Sequence, residues 1–181
     1  MGGQDKPLMT WGERSMVEHV LASVPSTMPK LISANRNVEA YGELAPVIED
    51  QKLLSQCGVQ PGPLVGVLAG LQRLHTEADY AQEWLLVCPG DTPCLADDWW
   101  EVMQTTAKEH QSQLVVAHDG ERQQHLHMLV HKCLVGALSE YLHNSQVAVF
   151  RWLELNQATT ANFSAPAAFR NINQPEDLEA N

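Results

Sequence analysis

The sequence predicts an α/β domain with a mostly parallel sheet flanked by helices, and three observations carry that prediction. Short strand-like runs alternate with helical stripes along most of the chain. The run Leu85-Leu86-Val87-Cys88 is wholly apolar and stops at Pro89-Gly90, the pattern of a strand buried on both faces. The 181 residues, 44% hydrophobic and 18% charged, contain no internal repeat and no linker that would mark a second domain.

Taken in order, Leu8 to Trp11 forms a short extended segment that turns at Gly12. Met16, Val17, Val20, Leu21 and Val24 make a helical stripe ended by Pro25. Lys30 to Ala34 is a strand, Asn37 to Glu43 a weak helix, and Pro46-Val47-Ile48 a second strand ending on Glu49-Asp50. Gln51 to Gln60 is a polar loop. Pro61-Gly62-Pro63 then introduces the helical stripe Leu64, Val65, Val67, Leu68, Leu71 and Leu74. After the strand at Leu85, a helix is expected over Leu95 to His110, and a strand over Leu114 to Ala117. The turn Asp119-Gly120 precedes the alternating strand Leu126, Met128, Val130. Helices over Leu134 to Leu142 and Val147 to Leu155 lead to an extended Thr159 to Phe163, and Asn173 to Leu178 reads as a capped helix start.

Charge and cysteine usage narrow the function. A formal net charge of −11 speaks against nucleic-acid binding, which wants a basic face. Cys57, Cys88, Cys94 and Cys133 form no C-x-x-C pair, which suits free thiols in a reducing cytoplasm. No run approaches 18 apolar residues, so no membrane span is expected.

Ligands of parallel sheets gather at the carboxyl ends of strands, where Asp91 is placed. A carboxylate there suits a hard cation held against a phosphate. Lys6, in a Gly-Gly-Gln-Asp-Lys loop, suits phosphate oxygens. Asp50 closes a strand in the same manner and can accept hydrogen bonds from a base or ribose. His125, His127 and His131 share one face of their strand, but no cysteine or carboxylate nearby completes a zinc set, so they are read as solvent-facing. Trp99 and Trp100 are adjacent, so only one of them faces the core.

Seven stretches follow one another in the order of a known family. They are Gly2-Gly3-Gln4-Asp5-Lys6, Ala34-Asn35-Arg36, Val47-Ile48-Glu49-Asp50, Pro61-Gly62-Pro63-Leu64-x-Gly66, Cys88-Pro89-Gly90-Asp91-Thr92-Pro93, His118-Asp119-Gly120-Glu121-Arg122 and Asn171-Ile172-Asn173-x-Pro175-Glu176. In these motifs the chain resembles the molybdenum cofactor guanylyltransferases, over essentially its whole length. The resemblance implies a single Rossmann-like nucleotidyltransferase domain over residues 1–181. It implies transfer of GMP from GTP to molybdopterin with release of pyrophosphate. Asp91 and Lys6 are the implied catalytic residues, with Asp91 the ligand of Mg²⁺. Lys6, Ser33, Asp50 and Asp91 are the implied GTP contacts, and Asp119, Arg122, Asn171 and Asn173 the pterin side. Molybdenum cofactor insertion proteins and molybdoenzyme chaperones are the implied protein partners.

The chain also departs from the family pattern. The family opens with a strand and a Leu-Ala-Gly-Gly loop, so the resemblance implies a domain incomplete at its N-terminus. Ser33 stands where an asparagine is usual, Gln124-His125 replaces His-Pro, and Ser145-Gln146 replaces a more basic pair. A CTP-using or sugar-phosphate relative, or a degenerate non-catalytic protein that binds pterin or a partner, are the alternative expectations.

Overall fold

The structure is a computed structural model and describes residues 5–50, 62–76 and 82–172. Among them the chain opens with a single 3₁₀ turn at Lys6–Leu8 and a two-residue hairpin, β1 (Thr10–Trp11) with β2 (Arg14–Ser15). Gly12, at φ +64°, makes its turn. Helix α1 (Met16–Ala22) starts where the Glu18 carboxylate accepts hydrogen bonds from the Ser15 N–H at 2.8 Å and its hydroxyl at 2.6 Å. Strands β3 (Ile32–Ser33) and β4 (Val47–Ile48) pair in parallel, joined through the short helix α2 (Val38–Gly42). The long helix α3 (Pro63–Thr76) follows, with proline at its first position.

The main sheet contains β5 (Trp84–Val87), β6 (Leu114–His118), β7 (Gln123–His131) and β8 (Thr159–Asn162), in the order β5-β7-β6-β8. Because β7 is antiparallel to both β5 and β6, and β8 is parallel to β6, three of its four strands run the same way. The expected common direction holds. What sequence periodicity did not show is that β7 is inserted between β5 and β6. Helix α4 (Trp99–Glu109) connects β5 to β6, and α5 (Val135–His143) and α6 (Val149–Leu155) connect β7 to β8.

Apolar cores cover both faces of this sheet. Leu114, Val116, Met128 and Val130 pack on one face against Leu64 and Leu68 of α3, Leu138 and Leu142 of α5, and Trp152 of α6. Val115, Ala117, Leu129 and Ala161 pack on the other against Trp99 and Met103 of α4, Val20 of α1, and Phe169. Trp99 is fully buried, and its indole N–H donates to Ser23 Oγ at 3.2 Å, tying α4 to α1. Trp100 is only half-buried, so one tryptophan of the pair takes the core, as expected.

Three expectations need correction. Every residue of β5 is half-buried rather than enclosed on both faces, because β5 is the edge strand of the main sheet. Helix α4 begins at Trp99, four residues later than expected, because Ala96 to Asp98 are taken up in a turn closed by the Trp99 N–H on the Ala96 carbonyl. His127 is 1% exposed, whereas His125 is exposed and His131 half-buried. A row of solvent-facing histidines needs an open face on β7. A strand in mid-sheet, covered by helices on both sides, has none along its central residues. The register between β6 and β7 also shifts between Val116 and Ala117, so that residues 125–127 have no partner across the pair.

Candidate active site

Three short segments build the site: the 3₁₀ turn ahead of β1 and the loops at the carboxyl ends of β5 and β4. The first holds Lys6. Its neighbour Asp5 accepts a hydrogen bond from Asn37 Nδ2 at 3.0 Å, and the Tyr41 hydroxyl is pushed above its ordinary pKa by burial and by the Asp5 carboxylate. Pro7 then packs on Gly90, so closely that a Cβ at Gly90 would lie 3.0 Å from the Pro7 Cβ. A side chain at Gly90 would force Pro7 to give by a few tenths of an ångström. The contact sets the Lys6 turn directly against the turn that carries Asp91.

Asp91 lies in the Pro89–Thr92 turn beyond β5. Thr92 is fully buried, and its hydroxyl donates to the Pro89 carbonyl at 2.9 Å, closing the turn. The Asp91 carbonyl accepts the Ile172 N–H at 3.0 Å, which brings Asn171 alongside. Among the described residues, no hydrogen bond or ion pair engages the Asp91 carboxylate, which is half-exposed. One uncommitted carboxylate facing solvent suits Mg²⁺, which keeps several waters and takes few protein ligands beside substrate phosphates.

The third loop holds Asp50, nearly buried, whose Oδ1 accepts a hydrogen bond from Asn35 Nδ2. Ser33, Asp50 and Gly66 converge: a Cβ at Gly66 would stand 2.6 Å from Ser33 Oγ and 3.7 Å from Asp50 Oδ2. Ser33, Asp50 and Gly66 line the same cavity as Pro7, Pro89 and Gly90, a space of about 430 Å³. Of the GTP-side residues expected from sequence, Ser33 and Asp50 line this cavity; Lys6 and Asp91 do not, and border it only through their neighbours Pro7 and Gly90. Asn35, part of the Ala34-Asn35-Arg36 motif but not among the expected site residues, orients the Asp50 carboxylate.

Of the expected pterin-side residues, Asn171 lies beside the Asp91 turn, whereas Asp119 and Arg122 fall elsewhere. Asp119 is 3% exposed at the end of β6. Its Oδ1 accepts the Glu121 and Arg122 N–H groups, each at 2.8 Å, and its Oδ2 accepts Gln124 Nε2 at 2.6 Å. Burial alone raises its pKa, but these donors and the Arg122 charge outweigh burial and hold it below the ordinary carboxylate value. Asp119 therefore shapes its own loop, and that loop presents an exposed Arg122. Neither residue lines the cavity. Asn173 and Cys57 lie outside the described residues.

Cys88, Cys94 and Cys133 are free, and burial pushes the Cys88 thiol up to about 12, which leaves it unreactive. No group of three or more His, Cys, Asp or Glu among the described residues is placed to hold a metal.

The family model described as the MobA-like NTP transferase domain matches residues 1–159. The molybdenum cofactor guanylyltransferase of Vibrio cholerae is 36% identical over 98% of this chain and 83% of its own length. That of Vibrio parahaemolyticus is 34% identical over 98% and 86%. The crystal structure of molybdopterin-guanine dinucleotide biosynthesis protein A from Archaeoglobus fulgidus superposes with a TM-score of 0.74, at 16% identity, over 98% of this chain and 88% of that one, and shares the Rossmann-like fold. The chain belongs to the MobA-like NTP transferases, and within them to the molybdenum cofactor guanylyltransferases, a family of nucleotidyltransferase enzymes.

Proposed function

We propose that this protein transfers GMP from GTP to molybdopterin, with Asp91 as its metal ligand. The observation that carries the reading is the uncommitted Asp91 carboxylate, fixed through its backbone beside the Lys6 turn. A phosphate oxygen of molybdopterin attacks the α-phosphorus of GTP. The new P–O bond forms as the bond to the bridging oxygen breaks, and pyrophosphate carries away the electron pair. Mg²⁺, when bound, supplies positive charge that offsets the charge developing on the phosphates. Asp91 holds that ion, and Lys6 contacts the phosphates. Transfer of this kind depends on positioning and charge stabilisation rather than on a protein nucleophile.

Asp50, oriented by Asn35, and Ser33 bind the nucleoside side of the cavity, where Gly66 leaves room by having no side chain. Asp119 acts on the pterin side by holding the loop that carries Arg122. Asn171 and Asn173 complete that side, Asn171 being next to the residue that bonds Asp91. The free thiols fit a cytoplasmic protein, and a net charge of −11 fits one that does not bind nucleic acid. Among the described residues no helix is long and apolar enough to cross a membrane. Molybdenum cofactor insertion proteins and molybdoenzyme chaperones are the proposed recipients of the product.

Nucleotide choice is tested by thermal shift with GTP, CTP and UTP in the presence of Mg²⁺. Stabilisation by GTP alone is expected, and stabilisation by CTP alone overturns the reading.

Residues 1–181 are proposed to form one nucleotidyltransferase domain that takes a further strand. In support, the cavity runs between the side of β3 that pairs with no other strand among the described residues and the outer edge of β5, with Leu31, Ile32 and Ser33 on one wall and Leu85 to Cys88 on the other. Unpaired strand edges facing each other across an apolar space favour an inserted strand. Adding an apolar strand upstream of residue 1 is expected to tighten GTP binding; equal affinity with and without it contradicts the idea.

A further inference from the structure

The most buried histidine of the chain lies beneath the Asp91 turn. His127 faces the core side of β7 formed with Trp99 and Phe169, and its ring meets both edge-on, at centroid distances of 6.1 and 5.0 Å. Its Nε2 lies 3.2 Å from Thr92 Oγ1, which is itself fully buried. The Thr92 hydroxyl has a single hydrogen, and that hydrogen is used on the Pro89 carbonyl. The imidazole must therefore carry its proton on Nε2 and donate it to the threonine oxygen. A relay results, from His127 through Thr92 to Pro89, which spans Gly90 and Asp91 from below. From the other side, the Ile172 N–H holds the Asp91 carbonyl.

We propose that His127 is a positioning residue: through Thr92 it fixes the Pro89–Thr92 turn, so that the Asp91 carboxylate meets the metal–nucleotide in one orientation. The proposal rests on the reading of Asp91 as the metal ligand. It concerns how the turn is held, and predicts that loss of the His127 donor loosens the turn without removing any group that touches substrate. Outer partners that orient a metal ligand are typically worth about 10–100-fold in metal affinity.

The test uses His127→Leu, which keeps comparable bulk without a donor, and His127→Gln, whose side-chain amide can donate in place of Nε2. Two readouts are taken on the full chain: amide exchange at Ile172, and the Mg²⁺ concentration giving half-maximal pyrophosphate release. In His127→Leu, Ile172 exchange is expected to quicken about tenfold relative to Val116 in β6, and the half-saturating Mg²⁺ to rise about tenfold. Turnover at saturating Mg²⁺ stays within about threefold, and His127→Gln restores both readouts. Thr92→Val gives the same result and serves as the test should His127→Leu fail to fold. Unchanged Ile172 exchange and unchanged Mg²⁺ dependence in a folded His127→Leu or Thr92→Val protein overturn the proposal. Asp91→Ala separates the two readings: if it keeps wild-type Mg²⁺ dependence, the assignment of Asp91 as metal ligand falls. If it loses that dependence while His127→Leu does not alter it, only the positioning role falls.

Discussion

Two turns in this molecule look alike in sequence and serve opposite ends. Strands β5 and β6 run in the same direction, and each ends in a turn with a glycine and an aspartate side by side, Gly90-Asp91 and Asp119-Gly120. In the Asp119 turn the carboxylate is the structural element: it is buried and accepts three hydrogen bonds from its own loop. In the Asp91 turn the structure is supplied by other groups, the Thr92 hydroxyl below and the Ile172 N–H beside, and the carboxylate is left uncommitted. A carboxylate that already accepts three donors has little capacity left for a cation. The difference shows that position at a strand end nominates a ligand, and that the hydrogen bonds of the turn decide whether the nominee is available.

The comparison can be broken first by removing each carboxylate. Asp91→Ala is expected to lower pyrophosphate release from GTP and molybdopterin by roughly 10²–10³-fold, with the thermal midpoint little changed. Asp119→Ala is expected to act chiefly on stability. Its loop loses three acceptor contacts and leaves N–H groups unpaired, so unfolding by urea should show a loss of about 1–3 kcal/mol.

Acid should separate the two turns as well. Burial lowers the His127 pKa from 6.5 to about 4, so the unfolded chain binds a proton there that the folded one does not. Stability attributed to this residue is present above pH 6.5 and is lost as pH falls towards 4, by at most about 3 kcal/mol. Asp119 is held below its ordinary value of 3.8, so its contribution persists until pH falls below that value. Urea titrations across pH should show the upper limb flattened in His127→Leu and the lower limb flattened in Asp119→Ala. A smaller effect is expected from Lys6→Ala: about tenfold weaker GTP binding by calorimetry, since one phosphate contact of several is removed.

Much of this was legible in the sequence, and for physical reasons. Proline and glycine punctuate strongly, so Pro89-Gly90, Pro63 and Gly12 placed the end of β5, the start of α3 and the β1–β2 turn correctly. The 3.6-residue stripe of Leu64, Leu68 and Leu71 gave the face of α3 that packs on the sheet. Strand pairing was not legible, because nothing local in Gln123–His131 states that β7 inserts between β5 and β6. His127 was misread for that reason: its alternation with Leu126 and Met128 is as expected of a half-wet strand, and only the insertion puts helices over both faces. Thr92 carried no signal of its own beyond its place in the Cys88–Pro93 motif. A threonine after a strand-end aspartate looks like any turn residue until its buried histidine partner, 35 residues away, is seen.

The most direct test of the account is the Mg²⁺-dependent part of GTP binding, measured by thermal shift on the wild type, Asp91→Ala and Asp119→Ala. The account predicts that adding Mg²⁺ to GTP raises the midpoint of the wild type and of Asp119→Ala by similar amounts, and leaves that of Asp91→Ala where GTP alone sets it. An equal Mg²⁺-dependent rise in Asp91→Ala would contradict the claim that this carboxylate holds the metal.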